Sequence, residues 1–344
     1  MFDTKVYVQR REALKKQLKS GIALFLGNNE SPMNYPANTF AYRQDSSFLY
    51  YWGLDAPNFA ALIDVDNNRN IIFGDDFEVD DIIWMGPQPT VAEQAKAVGV
   101  NETLPNSKLQ EMVRNAMKSG RRLHYLPQYR HDNIFRLEQL TGILNSLINE
   151  YVSEELIRGV VEQRLIKSDI EVAQIEIALS ISYEMNRIAM KESKPRIYEH
   201  EVYGMIEGAV LQRGSMVSFP MIFTTRGEVL HGHSHANMMQ DGDLLVLDSG
   251  AESPLHYASD ITRTFPVSGK FNKLQKDIYN VVLESQLESI KMMRPGVSFK
   301  DVHLKASKVI ASGMKDLGFM KGNVDDAVKE GAHAMFFPHG LGHP

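Results

Sequence analysis

The stretch "DGDLLVLDSGAESPLHYASDITRTFPVSGKF", residues 241–271, constrains this chain more than any other. Its run Leu244–Leu247 is continuously apolar, the pattern of a strand covered on both faces, and it closes on Asp248. An ionised carboxylate at the end of a buried strand is costly unless it is paired, hydrogen-bonded or bound to a cation. After a segment containing Ser, Gly and Pro the chain resumes at Asp260, where Ile261, Arg263 and Phe265 alternate with Thr262 and Thr264. A hairpin of these two strands is expected to bring Asp248 and Asp260 face to face.

Facing carboxylates either share a proton or hold a cation. Enzymes that share a proton in this way favour Asp-Thr-Gly or Asp-Ser-Gly in two similar halves. Here "DSG" stands once, at Asp248, Asp260 is followed by Ile-Thr, and no repeat is visible, so the cation is favoured. A simpler reading has Asp260 pairing with Arg263 or capping a turn. With no cysteine in the chain, a metal must be held by oxygen and imidazole. The closing stretch "FFPHGLGHP", 336–344, offers His339 and His343. His343 beside two aspartates gives the mixed oxygen and nitrogen shell that suits manganese, cobalt, iron or zinc. Gly340 and Gly342 permit close backbone approach. The spacing of the two histidines alone is equally natural for a helix face or a packed loop.

At 344 residues, two domains are expected. Hydrophobic residues at 43% and charged residues at 23% are ordinary globular values, against disorder and against a membrane protein. Neither an apolar run near the roughly 20 residues of a membrane span nor the apolar core of a signal peptide is seen, so a cytoplasmic protein is expected. A net charge of -6 without a basic cluster gives no footprint for nucleic acid, which leaves a small or peptidic ligand. Val6–Leu18 is expected to be helical and ended by Gly21, with strands at Ile22–Leu26, Phe59–Val65, Asn70–Phe73 and Leu123–Leu126, and helices at Val91–Ala97 and Ser107–Met117. Alternating strands and helices indicate an α/β first half. Near residue 160 the texture changes. A capping box of Ser168 and Glu171 opens a long helix with Ile170, Ala173, Ile177, Ile181, Met185 and Ile188 on one side. Helices at Tyr198–Gln212, Asn272–Met293 and Val302–Met314 are expected around a strand-rich block, Met216–Val267.

The segments "LLVLDSG", "ASDITRTFPVSGKF" and "FFPHGLGH" closely resemble the aminopeptidase P and prolidase family of pita-bread metallopeptidases. "YRQDSSFLYYWGLDAPNFAALI", residues 42–63, resembles the amino-terminal domain of aminopeptidase P. The resemblance implies an α/β architecture, with an aminopeptidase P-like domain over 1–160 and an α+β pita-bread catalytic domain over 161–344, incomplete at its carboxyl end. It implies two divalent ions, manganese foremost with cobalt or zinc as alternatives, held in the family by two aspartates, one histidine and two glutamates. The matched positions place metal ligands at Asp248, Asp260 and His343. The family's catalytic histidines fall on His231 of "EVLHGH" and His339 of "HGLGH". The neighbouring His233 and His235 would share a strand face with His231 and are expected to be solvated, while Arg43 and Trp52 are expected to be structural or interface residues.

The implied activity is hydrolysis of the Xaa-Pro bond at the amino terminus of peptides through a metal-activated water. Proline-containing peptides are the implied partners, and a homodimer or homotetramer the implied assembly. A bond before proline needs a dedicated site, because its nitrogen carries no hydrogen and its φ is locked. The sequence departs from the family pattern twice. The interval from Asp248 to Asp260 is a residue longer, an excess that a turn or bulge can absorb. The family's further histidine and two glutamate ligands beyond "HGLGH" have no counterpart, and Glu228 and Glu330 stand in other motif contexts. On this reading the chain is expected to be an inactive or weakly active fragment with an incomplete, poorly occupied metal site. The alternatives are a dipeptidase of the prolidase type and a non-catalytic peptide-binding module.

Overall fold

The computed structural model describes residues 1–343 and divides into two compact units, Met1–Lys167 and Ser168–Pro344. Pro344, the last residue of "FFPHGLGHP", lies outside the described residues.

In the first unit the helix Thr4–Leu18 begins where the Asp3 carboxylate accepts the Lys5 N–H at 2.8 Å. It is followed by β1 (Ile22–Leu26), a hairpin of β2 (Pro32–Tyr35) and β3 (Asn38–Thr39), then β4 (Ala60–Asp64), β5 (Arg69–Phe73), β6 (Glu102–Leu104) and β7 (Leu123–His124). Among the described residues, β6, β5, β4, β1 and β7 lie in that order in one sheet. Its inner pairs β1/β4 and β4/β5 are antiparallel, and its outer pairs β1/β7 and β5/β6 are parallel. Alternate residues go to opposite cores. Ala23, Phe25, Ala61 and Ile63 pack with Leu14, Trp52 and Leu156, whereas Ile22, Leu24, Ala60 and Leu62 pack with Leu109, Val113 and Leu137. At the centre of this sheet β1 is apolar throughout, and β4 is apolar up to Asp64, because helices cover both sides. Trp52 is wholly buried, in keeping with its expected structural role.

The division between units falls after Lys167, later than residue 160. The helix Glu154–Leu165 sends Leu156 and Val160 into the first core, so it belongs with the first unit.

In the second unit the capping box forms as expected. Ser168 N–H donates to the Glu171 carboxylate at 2.9 Å, and the helix Asp169–Glu192 follows. Its buried stripe is Ala178, Ile181, Met185 and Ala189, while Ile170 and Ile177 stay 42% exposed. The first two turns turn a polar side inward, since Glu171 is itself buried and accepts the Tyr257 hydroxyl at 2.9 Å. A stripe drawn through apolar residues alone therefore runs one position off there. The helix Glu199–Gln212 leads to β8 (Ile222–Thr224), β9 (Leu244–Ser249) and β10 (Ile261–Pro266), which form a sheet with β9 in the middle and both pairings antiparallel. The helices Lys273–Met292 and Phe299–Asp316 are capped by Asn272 and Ser298, whose side chains accept the Gln275 and Asp301 N–H groups at 2.9 and 3.1 Å.

Expectation and structure part on β9. Leu245, Leu247 and Ser249 are buried with Met185, Ile206 and Phe223 behind them, but Leu244, Val246 and Asp248 on the other face are only half-buried. The strand is covered on one face and partly open on the face that carries the aspartate.

Candidate metal centre

Asp248 stands directly across from Thr262 on β10 and from Ile222 on β8. Asp260 precedes β10 by one residue, so the carboxylates are diagonal neighbours on one face of the hairpin rather than opposite each other. What draws the two segments together is Gly250, the glycine of "DSG". A Cβ there would lie 1.8 Å from the Ser259 carbonyl oxygen and 2.3 Å from the Ser218 hydroxyl. Ser259 is anchored as well: its hydroxyl accepts the Ala251 N–H at 3.0 Å and contacts the Ser182 hydroxyl at 2.8 Å, and its carbonyl accepts the Ser218 hydroxyl at 2.8 Å. The long connection between the aspartates is taken up by a turn in which Ser253 N–H donates to the Tyr257 carbonyl at 2.8 Å and His256 adopts φ 62.

The electrostatics follow from this proximity. Partial burial, and then the charge and hydrogen bond of Asp248, hold the Asp260 carboxyl above the ordinary carboxylate range, while His343 pulls it back. His343 Nε2 lies 3.1 Å from Asp260 Oδ2. Asp248 Oδ1 is buried and has no hydrogen-bond partner among the described residues. A buried anionic oxygen without a donor is expensive, and a cation is one of the few things that satisfies it. The donors present, two carboxylates and an imidazole, are those of manganese, cobalt or zinc sites. Among the described residues, no group of three or more His, Cys, Asp or Glu side chains is gathered closely enough to hold an ion, so the contacts run pairwise from Asp248 to Asp260 to His343.

The other two histidines are not joined to this cluster by a hydrogen bond or ring contact among the described residues. His339 is exposed. Its Nδ1–H donates to the Gly340 carbonyl at 2.8 Å, which leaves Nε2 as the acceptor, and its ring meets Phe337 edge-on at 4.8 Å. His231 is exposed in the loop after β8. The segment carrying His231, His233 and His235 is a loop, not a strand, so the three do not share a strand face. His233 is exposed as expected, but His235 is half-buried: its ring stacks on Tyr203 at 4.1 Å and its Nδ1 bonds the Phe223 carbonyl at 3.1 Å. Sequence reading also passed over Glu199, a fully buried carboxylate whose partners come from β8 and the loop after it. No local pattern signals it, because those donors lie 25 to 38 residues away along the chain.

Comparison with known proteins gives the family of the chain. Residues 173–344 match the model of metallopeptidase family M24, and residues 7–126 match that of the aminopeptidase P N-terminal domain. The Xaa-Pro aminopeptidase of Escherichia coli K12 is 30% identical over 349 residues, covering 98% of this chain and 79% of the relative. A zinc-substituted E. coli aminopeptidase P in complex with product superposes with a TM-score of 0.85 at 28% identity, covering 99% of this chain and 80% of that one. The Pseudomonas aeruginosa aminopeptidase PepP gives 0.85 at 26% identity, covering 97% and 78%. An amino-terminal α/β unit ahead of a pita-bread unit defines a metal-dependent peptidase. The chain belongs to metallopeptidase family M24, in its aminopeptidase P branch. No helix among the described residues is long and apolar enough to cross a membrane.

Proposed function

We propose that this chain acts on the bond before proline at the amino terminus of peptides, with Asp248, Asp260 and His343 as metal ligands and His231 and His339 working on the substrate. The observation that carries the reading is the pair of carboxylates on one half-open face of the hairpin, one of which keeps a buried oxygen without a donor among the described residues. Two divalent ions, manganese foremost, would supply an acidified water and a polarised carbonyl. The chain's own groups complete the chemistry. Asp248 and Asp260 gather negative charge where a cation is needed, and Gly250 keeps them within reach of each other. His339, its Nδ1–H committed to Gly340, presents Nε2 as a proton acceptor. His231 extends from an exposed loop and can donate to an oxygen on which negative charge develops.

The relatives carry the name Xaa-Pro aminopeptidase, which favours peptides longer than a dipeptide as substrates. A cytoplasmic location, peptide partners and a homodimeric or homotetrameric assembly belong to the same reading.

The test is release of the first residue from Xaa-Pro-Xaa and Xaa-Pro substrates with added manganese, together with manganese binding by calorimetry. Asp248→Asn should weaken manganese binding by at least about 10- to 100-fold, beyond what is typical for changes around a metal site. Manganese binding that is indifferent to Asp248→Asn would sink the ligand assignment.

A further inference from the structure

Glu199 stands in the first turn of the helix Glu199–Gln212 with none of its surface exposed. Its Oε1 accepts the Thr225 N–H at 2.6 Å, the Thr224 and Thr225 hydroxyls at 3.1 Å, and the Asn237 Nδ2 amide at 3.1 Å. Its Oε2 accepts the same Asn237 amide at 3.0 Å. A first-turn acid is favoured by the helix dipole, but this one spends its acceptors on another segment.

That segment is a single loop, gripped at both ends. Thr224 and Thr225 are where the chain leaves β8, and Asn237 is where it returns. The backbone repeats the grip: Glu199 N–H donates to the Asn237 carbonyl at 3.0 Å and His200 N–H to the His235 carbonyl at 2.9 Å. The His235 ring, stacked on Tyr203 and bonded to the Phe223 carbonyl, fixes the returning end a third way. Between these anchors, midway along the loop, is His231. Near its start the loop lies on β9, because a Cβ at Gly227 would come within 2.7 Å of Val246 Cγ2. Val246 shares with Asp248 the half-open face of that strand.

We infer that Glu199 is a positioning residue, which clamps both ends of the loop 225–237 so that His231 is presented over the strand face carrying Asp248. The inference rests on the role given to His231 above. The physical reason for a carboxylate here is that one buried group can take donors from both ends of the loop at once, and bonds to an ionised acceptor are stronger than neutral ones. The desolvation of that charge is offset only while all the donors are present, so the loop is held as a unit rather than by independent contacts.

The test reverses one donor–acceptor pair. Asn237→Asp sets a second carboxylate against Glu199. Adding Glu199→Gln restores a donor to that contact and keeps an oxygen for Thr225. In Asn237→Asp, amide hydrogen exchange across 226–236 should speed up by about tenfold or more, the effect of losing a charge-assisted hydrogen bond, with β9 unchanged. The His231 imidazole resonance should move, and kcat on an Xaa-Pro peptide should fall by between about 10- and 100-fold with KM little altered. The double change should return all three toward wild type, and Asn237→Asp should add nothing to the loss in a His231→Ala background. Unaltered loop exchange in Asn237→Asp, no rescue by the double change, or a further loss in the His231→Ala background would each overturn the inference. Absence of turnover by the wild-type chain would defeat the proposed activity instead, and loop exchange with the His231 resonance would still decide the clamp.

Discussion

β1 and β9 are spelled nearly alike, Ile-Ala-Leu-Phe-Leu against Leu-Leu-Val-Leu-Asp-Ser, yet the fold treats them differently. Every residue of β1 is buried, because helices lie on both sides of its sheet. β9 is buried on the Leu245–Leu247 side and half-open on the side of Val246 and Asp248. The difference teaches where each unit can do chemistry. A strand sealed on both faces contributes stability along its length, whereas one that leaves a face partly open can hold a carboxylate that still reaches a ligand.

The comparison can be broken by truncating matched positions. Phe25→Ala on β1 removes a side chain 3% exposed and should cost the first unit about 4 kcal/mol in chemical denaturation. Val246→Ala on the open face of β9 should cost about 1 kcal/mol, and equal losses at the two sites would show that the half-open face is in fact sealed. Gly250→Ala probes how the open face is assembled. The added methyl collides with the Ser259 backbone, so Asp260 must move away from Asp248, at about 3 kcal/mol and with impaired manganese binding. Retention of both stability and manganese affinity would show that the close approach at Gly250 is dispensable.

The smallest effect sharpens the contrast through pH. His124, on β7 of the sealed sheet, is 1% exposed. Its Nε2–H donates to the Ser20 carbonyl at 3.1 Å, so Nδ1 accepts the Ser153 hydroxyl at 2.6 Å. Burial lowers its pKa, against the smaller upward pull of the Ser20 carbonyl. The neutral form is the one the fold prefers, so its contribution is fully present above the ordinary value near 6.5 and is lost as pH falls from there toward the lowered value. Stability of the first unit measured from pH 7.5 down to 5 should therefore decline, and His124→Gln should flatten that part of the profile. An unchanged slope in the variant would remove His124 as its cause.

Much of this was legible in the sequence. β1 and the helix Val91–Ala97 fall where apolar spacing put them, and the helix at Asp169 opens on its capping box. These are local signals, in which the residues that decide an element lie within a turn or two of each other. The short helix Ser46–Trp52, capped by Asp45 accepting the Phe48 N–H at 2.8 Å, lay inside the resemblance motif without being read as a helix. The exposure of Ile170 and Ile177 was missed because hydrophobicity says that a residue can be buried, not that something lies above it.

The sequence by itself determined the two-unit organisation, the strand that ends on Asp248, the motif at Asp260 and the family to which the chain belongs. Only the tertiary structure decided that the carboxylates are diagonal rather than opposite, that Gly250 lets Ser259 approach, that His235 packs while His231 stays exposed, and that Glu199 bonds both ends of the loop that carries them. The reason is the range of the interactions. Periodicity and caps are fixed by neighbours in the chain, whereas burial on one face and the satisfaction of a buried acid depend on groups many residues away.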